Sequence, residues 1–377
     1  MSNWRIVLCF VVALVCGRAS SAAEEILIGH YASLTGSEAT FGQSTDNGVR
    51  LAVEEVNAKG GINGKKIRLI TRDDEGKTDK AGDAVKRMIT SDHVVAIIGE
   101  VSSGLSLAGG AVCQEHSIPM ISPSSTNPKV TRIGNMIFRV CFTDPFQAYV
   151  CAKFARENKA VQATRVATLY DKQSPYSTGL KQEFAKSFKS LGGTITAEES
   201  YTQGDSDFSA QLTTIRGTNP QVVFIPGYYT DVASIAVQAR KLELNVPLLG
   251  GDGWDSAKLA EIAGASIEGC YYSNHCTVED PNPQVQEFLK KYQAKHQQVP
   301  DALAELGYDS AGILFDALRR SKSVTGADLA AAIAATKNFE GITGRITIDE
   351  ARNASKPAVI LKMTKGKPLL VETIAPK

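Results

Sequence analysis

The chain has 377 residues, with 41 lysines and arginines against 40 aspartates and glutamates. This balance gives no basic excess for binding nucleic acid and no acidic excess typical of a disordered, solvating chain. The length favours two domains over one, and each of them would be long enough to bury a sizeable core.

The first 23 residues have the layout of a secretory signal peptide. Arg5 precedes an apolar run from Ile6 to Cys16, and the small residues SSAA follow, so that cleavage is expected after Ala23. The run is shorter than the roughly 18 residues that a membrane helix needs. We therefore expect an exported protein. A lipid anchor on Cys16 is the alternative, disfavoured because Val15 stands where such signals place a small residue.

Cysteine usage gives little support for a disulfide scaffold. Two of the seven cysteines lie in the predicted signal peptide, and the remaining five are an odd number spread thinly along the chain. Cys270 and Cys276 are the best candidates for a pair in an oxidising compartment. The alternative is that all five are small, buried, apolar side chains, so that the core alone stabilises the fold.

Short apolar runs alternate with amphipathic stretches along most of the chain. Their continuous apolarity is typical of strands buried on both faces, as in parallel sheets. The predicted strands cover 26–29, 67–70, 94–99, 119–122, 165–170, 222–227 and 247–250.

Between these runs, apolar residues recur at helical spacing. The first such face carries Val49, Ala52, Val53 and Val56 and ends before KGG. Similar faces are formed by Ala81, Ala84, Val85 and Met88, by Phe184, Ala185 and Phe188, and by Ile235, Ala236, Ala239 and Leu242. Repetition of strand, helix and strand predicts an α/β fold with helices on both faces of a parallel sheet. Ligands of such sheets bind beyond the carboxyl ends of the strands, so the loops there are the candidate sites.

Two of these loops are rich in hydroxyl groups. In GEVSSG, Ser102 or Ser103 opens a helix, where the backbone N–H groups and the helix dipole favour an anion such as a carboxylate. In SPSST, Ser124, Ser125 and Thr126 add further donors. Taken alone, GEVSSG is also consistent with an ordinary helix cap, and SPSST with an ordinary turn. Together, two adjacent loops that carry hydrogen-bond donors favour an anion site.

Two later loops have the opposite character. PGYYTD carries Tyr228, and GGDGWD sets Asp252 between glycines that let a ligand approach the backbone closely. A carboxylate with an aromatic face suits an ammonium group. A turn-forming role for Asp252 stays open, as does a core position for Trp254.

Sequence motifs of catalysis and metal binding are absent. The chain contains no HExxH, CxxC or GxSxG motif and no complete calcium loop, and its five histidines have no metal-ligand spacing. We therefore expect a protein that is not an enzyme and that carries neither a metal nor another cofactor.

The order of these motifs resembles the periplasmic leucine/isoleucine/valine-binding proteins, the solute receptors of branched-chain amino acid ABC transporters. The resemblance covers nearly the whole mature chain. It rests on the segment from ILIGHYASLTG to TRDDEG and on IIGEVSSGLSL, IPMISPSSTNPKVT, LYDKQSPYSTG, GDSDFSAQL, GYYTD and GGDGW.

The resemblance implies a type I periplasmic-binding-protein fold, in which a three-stranded hinge joins two Rossmann-like α/β lobes. The chain would cross between the lobes near Phe142, Ser273 and Asp349. The implied divisions are a signal peptide (1–23), a first lobe (24–142 plus 274–348) and a second lobe (143–273 plus 349–377).

The resemblance also implies a ligand site in the cleft between the lobes. The positions that bind a carboxylate in the family fall on Ser103, Ser124 and Thr126, and those that bind an ammonium group fall on Tyr228 and Asp252. Aromatic wall positions fall on Tyr176 and on Phe41, where relatives often have tyrosine. A free amino acid carries both charges and would favour the closed state of the lobes.

The expected function is therefore that of a periplasmic, monomeric receptor that captures an amino acid and delivers it to the membrane permease of an ABC transporter. Branched-chain aliphatic amino acids are the first candidates for the ligand. The alternative is a ligand-sensing module of the same fold, which binds an amide, γ-aminobutyrate or an aromatic acid and signals to a membrane receptor.

Overall fold

The computed structural model describes residues 25–376, so the predicted signal peptide lies outside the described residues. The helices, in chain order, are α1 (Ala39–Ala58), α2 (Thr78–Thr90), α3 (Ser103–Glu115), α4 (Asp144–Glu157), α5 (Pro175–Ser190), α6 (Ser209–Gly217), α7 (Tyr229–Lys241), α8 (Ala257–Ala263), α9 (Pro283–His296), α10 (Ala302–Arg320) and α11 (Gly326–Ala334). None of these described helices combines the length and the apolarity needed to cross a membrane.

The strands confirm all seven sequence predictions and add others. In chain order they are β1 (Ile26–Ala32), β2 (Ile67–Asp73), β3 (Ala96–Ile98), β4 (Met120–Ser122), β5 (Ile137–Arg139), β6 (Arg165–Asp171), β7 (Thr194–Tyr201), β8 (Val222–Ile225), β9 (Leu248–Gly250), β10 (Tyr271–Asn274), β11 (Phe339–Gly341), β12 (Gly344–Ile348), β13 (Ala354–Ser355), β14 (Ala358–Thr364) and β15 (Lys367–Ile374).

Two large sheets organise the described chain. The first is wholly parallel, in the order β2-β1-β3-β4-β5. The second has the order β15-β14-β10-β9-β8-β6-β7, in which the last five strands are parallel and the β14–β15 hairpin adds antiparallel pairs. A small antiparallel sheet contains β11, β12 and β13. The predicted α/β class is thus confirmed.

Each large sheet has its own hydrophobic core. The core of the first sheet includes the predicted faces of α1 and α2 and also takes in residues of α10, α11, β12 and β13. The second sheet has a core on each of its two faces. Along the chain, the strands change sheet after β5, after β10 and after β13.

The five cysteines of the described chain are all free thiols. The predicted pair of Cys270 and Cys276 is not formed, because each thiol has a different neighbour. Arg240 Nη2 lies 3.3 Å from the Cys270 sulfur, whereas Cys276 faces Glu305. Of the two alternatives left by the sequence, unpaired cysteines are the correct one.

Helices α1 and α10 pack closely against each other in the first layer. At Gly48 a Cβ atom would lie 1.9 Å from the Ala304 carbonyl oxygen, so the helix backbones approach too closely for any side chain. A Cβ at Gly82, on α2, would meet nothing within 4 Å. These two helical glycines therefore form a matched pair for a stability test.

We expect Gly48→Ala to lower the free energy of unfolding by about 1 to 3 kcal/mol, because α10 must shift to admit the methyl group. The control Gly82→Ala should raise it by roughly 0.5 to 1 kcal/mol, since alanine is the better helix former. Urea unfolding followed by circular dichroism measures both. A Gly48→Ala variant as stable as the unaltered protein would contradict the close approach.

Candidate functional site

A cavity between the two layers gathers most of the predicted site residues. It is lined by Phe41, Val101, Ser103, Ser124, Tyr176, Tyr228, Asp252, Gly253 and Leu303. Six of the seven candidates from the sequence are in this set, and Thr126 is not. Of the three lining residues that sequence reasoning missed, Leu303 had no local signal, because it looks like any apolar residue at the start of a helix.

The start of α3 forms one side of the cavity. Ser102 occupies the N-cap position but makes no side-chain capping bond, because its hydroxyl donates to Glu38 Oε2 instead. The first backbone N–H groups of the helix therefore lack a side-chain cap. Ser103, the first helical residue, accepts a bond of 3.3 Å from the Asn127 backbone N–H at its hydroxyl oxygen. Its own hydroxyl proton can still be donated to a ligand.

The loop after β4 supplies hydroxyl groups beside this helix. Ser124 and Thr126 are both buried; the Ser124 hydroxyl has no hydrogen-bond partner among the described residues, whereas the Thr126 hydroxyl faces the carboxyl group of Asp144. Buried hydroxyl groups in proteins normally have a partner, because desolvating them without one is unfavourable. Ser124 lines the cavity, and its hydroxyl has unused capacity for a polar ligand.

Arg139, at the end of β5, fixes the same loop from behind. Its guanidinium donates to the Ser125 carbonyl oxygen and, at 2.7 Å, to the Asn127 carbonyl oxygen. The side chain is fully buried, and this burial lowers the pKa of the guanidinium. A buried arginine beside a hydroxyl-lined loop favours an anion there. Sequence reasoning missed it, although an arginine inside the apolar stretch MIFRVCF is unusual enough to notice.

The opposite side of the cavity is organised around Asp252, which opens a short 3-10 turn (Asp252–Trp254) after β9. One carboxylate oxygen accepts from Gln147 Nε2 at 2.7 Å and from the Tyr176 hydroxyl at 3.0 Å. The other lies 3.0 Å from His275 Nε2. Burial lowers the pKa of His275, so the ring is neutral and donates its Nε2–H to the carboxylate.

Aromatic rings close the cavity. The Tyr176 and Tyr228 rings stack with centroids 5.2 Å apart, and Phe41, from the first layer, meets Tyr228 edge-on at 5.7 Å. Trp254 is fully buried in a core of the second sheet, and its indole N–H donates to the Ile225 carbonyl oxygen at 2.9 Å. Trp254 therefore has the core position that the sequence left open.

The two layers also touch around the rim of the cavity. Asn127 donates to the Pro175 carbonyl oxygen at 2.7 Å, and Gln203 donates to Glu38 Oε1 at 2.9 Å. The free volume inside is only ≈ 10 Å³, about the minimum of roughly 10 Å³ that holds one water molecule. A solute must therefore separate the layers to enter, as hinged two-layer proteins allow.

Comparisons with known proteins decide the family. The model of the family described as "Periplasmic binding protein" matches residues 25–368. The chain belongs to this family. A curated relative, Leu/Ile/Val-binding protein homolog 2 of Brucella abortus (strain 2308), is 33% identical over 366 residues, which cover 96% of this chain and 95% of the relative. The chain is thus a member of the Leu/Ile/Val-binding branch, for which the family implies a periplasmic location.

Solved structures of similar proteins support the same family assignment. The leucine-binding protein LivK of Thermotoga maritima has a TM-score of 0.89 at 37% identity, covering 93% of this chain and 99% of its own. LivJ, a branched-chain amino acid transporter substrate-binding protein of Streptococcus pneumoniae in complex with isoleucine, has a TM-score of 0.88 at 32% identity, covering 94% and 100%. The type I periplasmic-binding fold and membership among the substrate-binding proteins of ABC transporters are thereby confirmed.

Buried carboxyl groups surround the site. Burial raises the pKa of Glu38 to about 7 and that of Asp144 to about 8. Glu38 accepts bonds from Ser102 and Gln203, so its ionisation state affects the contact between the layers. In residues 25–376, no group of three or more histidine, cysteine, aspartate or glutamate side chains is placed to hold a metal ion.

We expect the stability of the ligand-free protein to fall as pH rises from about 4.5 to about 7. In that window the folded state keeps a proton on Glu38 that the unfolded chain has released, which costs up to about 1.4 kcal/mol per pH unit. The Glu38→Gln variant should show a shallower fall of the melting temperature with pH, whereas the exposed control Glu54→Gln should follow the unaltered protein. Identical slopes for all three proteins would contradict the burial of an ionisable Glu38.

Proposed function

We propose that the cavity binds an α-amino acid with an aliphatic side chain, that the two lobes close over it, and that the protein delivers it to the membrane permease of an ABC transporter. The observation that carries the proposal is the opposite chemistry of the two walls: hydroxyl groups and a helix start on one side, and a carboxylate with tyrosine rings on the other.

The α-carboxylate would bind at Ser103, Ser124 and Thr126. The Ser124 hydroxyl is buried without a partner among the described residues, and the uncapped start of α3 favours negative charge. Arg139, buried behind the loop that follows β4, also favours negative charge at this wall. No cation of the described chain lines the cavity itself, so a carboxylate would be held by hydrogen bonds and the helix dipole, not by an ion pair.

The α-ammonium group would bind at Asp252 beside Tyr228. A carboxylate offers roughly four acceptor positions, and Gln147, Tyr176 and His275 use three of those on Asp252. The fourth is free for a donor from the cavity. Because the three protein donors already fix the orientation of the carboxylate, little ordering is required when the ammonium group binds.

The side chain of the ligand would contact apolar residues. Phe41, Val101 and Leu303 are the aliphatic and aromatic lining residues outside the tyrosine pair. They come from the first layer and favour an aliphatic group over an amide or a second charge. Among the structural relatives, LivJ was solved with isoleucine, and LivK is described as a leucine-binding protein.

Closure of the cleft requires the lobes to move as units. We propose that the two lobes have the residue ranges inferred from the sequence except at the third crossing, and that the chain crosses between them near Phe142 and near Ser273. For the third crossing we propose residues 356–357 instead of Asp349, because β13 packs with the first core whereas β14 belongs to the second sheet.

We expect Asp252→Asn to weaken the binding of L-leucine at least tenfold, a loss of about 1.4 kcal/mol, because the amide cannot pair with the ammonium charge. The exposed aspartate Asp280, changed to asparagine, is the matched control and should leave the affinity unchanged. Isothermal titration calorimetry on protein freed of bound solute by unfolding and refolding measures both variants. Equal affinities would overturn the assignment of the ammonium half.

A thermal-shift panel tests the class of ligand. A ligand present at about 100 times its dissociation constant should add about 2.7 kcal/mol of stability. We expect leucine, isoleucine and valine to raise the melting temperature, and γ-aminobutyrate, aliphatic amides and benzoate to leave it unchanged. A shift by one of the latter compounds alone would replace the proposed ligand.

Delivery to a permease is a separate step and needs its own experiment. Cells that express the protein should take up radiolabelled leucine faster than cells from which the gene is deleted, and restoring the gene should restore the rate. The Asp252→Asn variant should fail to restore it. Uptake that does not depend on the gene would favour a sensing role over transport.

A further inference from the structure

A second cavity lies beside the cleft and shares no lining residue with it. We call it the α8 groove. It is bounded by the segment 254–261 with α8, by 272–279 after β10, by 299–305 at the start of α10 and by the β14–β15 hairpin. Its free volume is ≈ 560 Å³, within the range of roughly 300 to 1,000 Å³ typical of small-molecule sites.

The walls of the α8 groove are largely apolar. They are formed by Trp254, Leu259, Tyr272, Leu361, Met363 and Leu369. Of these, Leu369 is 41% exposed at the mouth, whereas the other five are buried. The groove thus offers apolar surface both at an exposed residue and among buried ones, which suits an apolar ligand body.

The inner end of the groove carries three carboxyl groups. Asp255 is occupied, since it accepts from the Tyr272 hydroxyl at 3.1 Å and from the Ala302 backbone N–H at 2.8 Å. Asp301 caps α10 by accepting from the Ala304 backbone N–H at 3.0 Å. Glu305 is 1% exposed and faces the Cys276 thiol, but its Oε2 atom has no hydrogen-bond partner among the described residues.

Carboxyl groups outnumber cations on the lining of the groove. The buried cation Lys356, whose charge acts on Glu305, donates to Thr343 and does not line the groove. Lys367 lies on the lining, together with the two further carboxylates Glu261 and Glu279. Burial raises the pKa of Glu305 to about 8 and that of Asp301 to about 7, so a bound cation would stabilise their ionised forms.

The carboxyl groups at the inner end of the α8 groove determine which kind of cation can bind there. The described residues contain no group of carboxylates placed to hold a metal ion. An ammonium group has three donors and can reach a single unpaired carboxylate oxygen. We propose that the α8 groove is a second ligand site, which binds an amphipathic primary ammonium compound with its charge at Glu305 and its apolar body along Leu361 and Met363.

The probe for the test is 2-phenylethylamine, with 2-phenylethanol as its uncharged counterpart. Met363 is the methionine of the described chain that lines the groove, whereas Met88, Met120 and Met136 belong to the first core. In protein labelled on the methionine methyl groups, the NMR signal of Met363, assigned with Met363→Leu, should move saturably with the amine. The signals of the other three should stay in place.

Three variants and the uncharged alcohol complete the design. Glu305→Gln keeps the shape of the side chain and should weaken the amine at least tenfold, and the alcohol should bind the unaltered protein at least tenfold more weakly than the amine. Ala260→Trp, on the wall, should abolish the shift by filling the groove. Glu287→Gln, an exposed carboxylate outside both cavities, should leave the affinity unchanged.

The proposal is overturned if the Met363 signal does not respond to the amine, or if amine and alcohol bind equally. It is also overturned if folded Glu305→Gln or Ala260→Trp protein binds the amine as the unaltered protein does. Should Glu305→Gln fail to fold, the comparison of amine with alcohol and the Ala260→Trp variant still decide the matter.

Discussion

The buried carboxylate of Asp252 is the interaction on which the architecture of the cleft depends. Its three donors come from α4, from α5 and from the segment after β10, so one side chain connects three separate elements of the fold. The His275 ring in turn stacks on Phe142, with centroids 3.8 Å apart, where the chain first passes between the layers. Buried charge of this kind is tolerated only when it is well paired. The arrangement therefore couples the cleft to Phe142, in the segment between β5 and α4.

Much of the fold follows from elementary patterns in the sequence. Most of the seven predicted strands are buried, whereas β2, at the edge of its sheet, is mostly half-buried. The loops at the carboxyl ends of several of them carry residues that line the cleft. The rule that ligands bind at this edge of a parallel sheet brings Ser103 and Ser124 together without knowledge of the tertiary structure. The strands that were missed include β7 and β15, in which half-buried and exposed residues interrupt the apolar pattern. A pattern based on complete burial has no means to detect such edge strands.

The rest of the site could not be derived from the sequence, because it depends on contacts between distant segments. Leu303 lines the cleft only because α10, which follows β10 of the second sheet along the chain, packs against α1 of the first layer. The hydroxyl of Ser102 looks like an ordinary helix cap until Glu38, 64 residues away, accepts its proton. The position of Trp254, and the absence of a Cys270–Cys276 bond among the described thiols, likewise depend on which partner packs nearest.

The central claim is that the cleft recognises both charges of one amino acid. Displacement of isotopically labelled L-leucine from the purified protein tests it most directly, with 3-methylbutylamine, which lacks the carboxylate, and 4-methylpentanoate, which lacks the ammonium group, as competitors. We expect each to compete at least a hundredfold less well than unlabelled leucine, because each leaves one wall of the cleft without its partner. Competition by either compound as effective as that of leucine would contradict the split site.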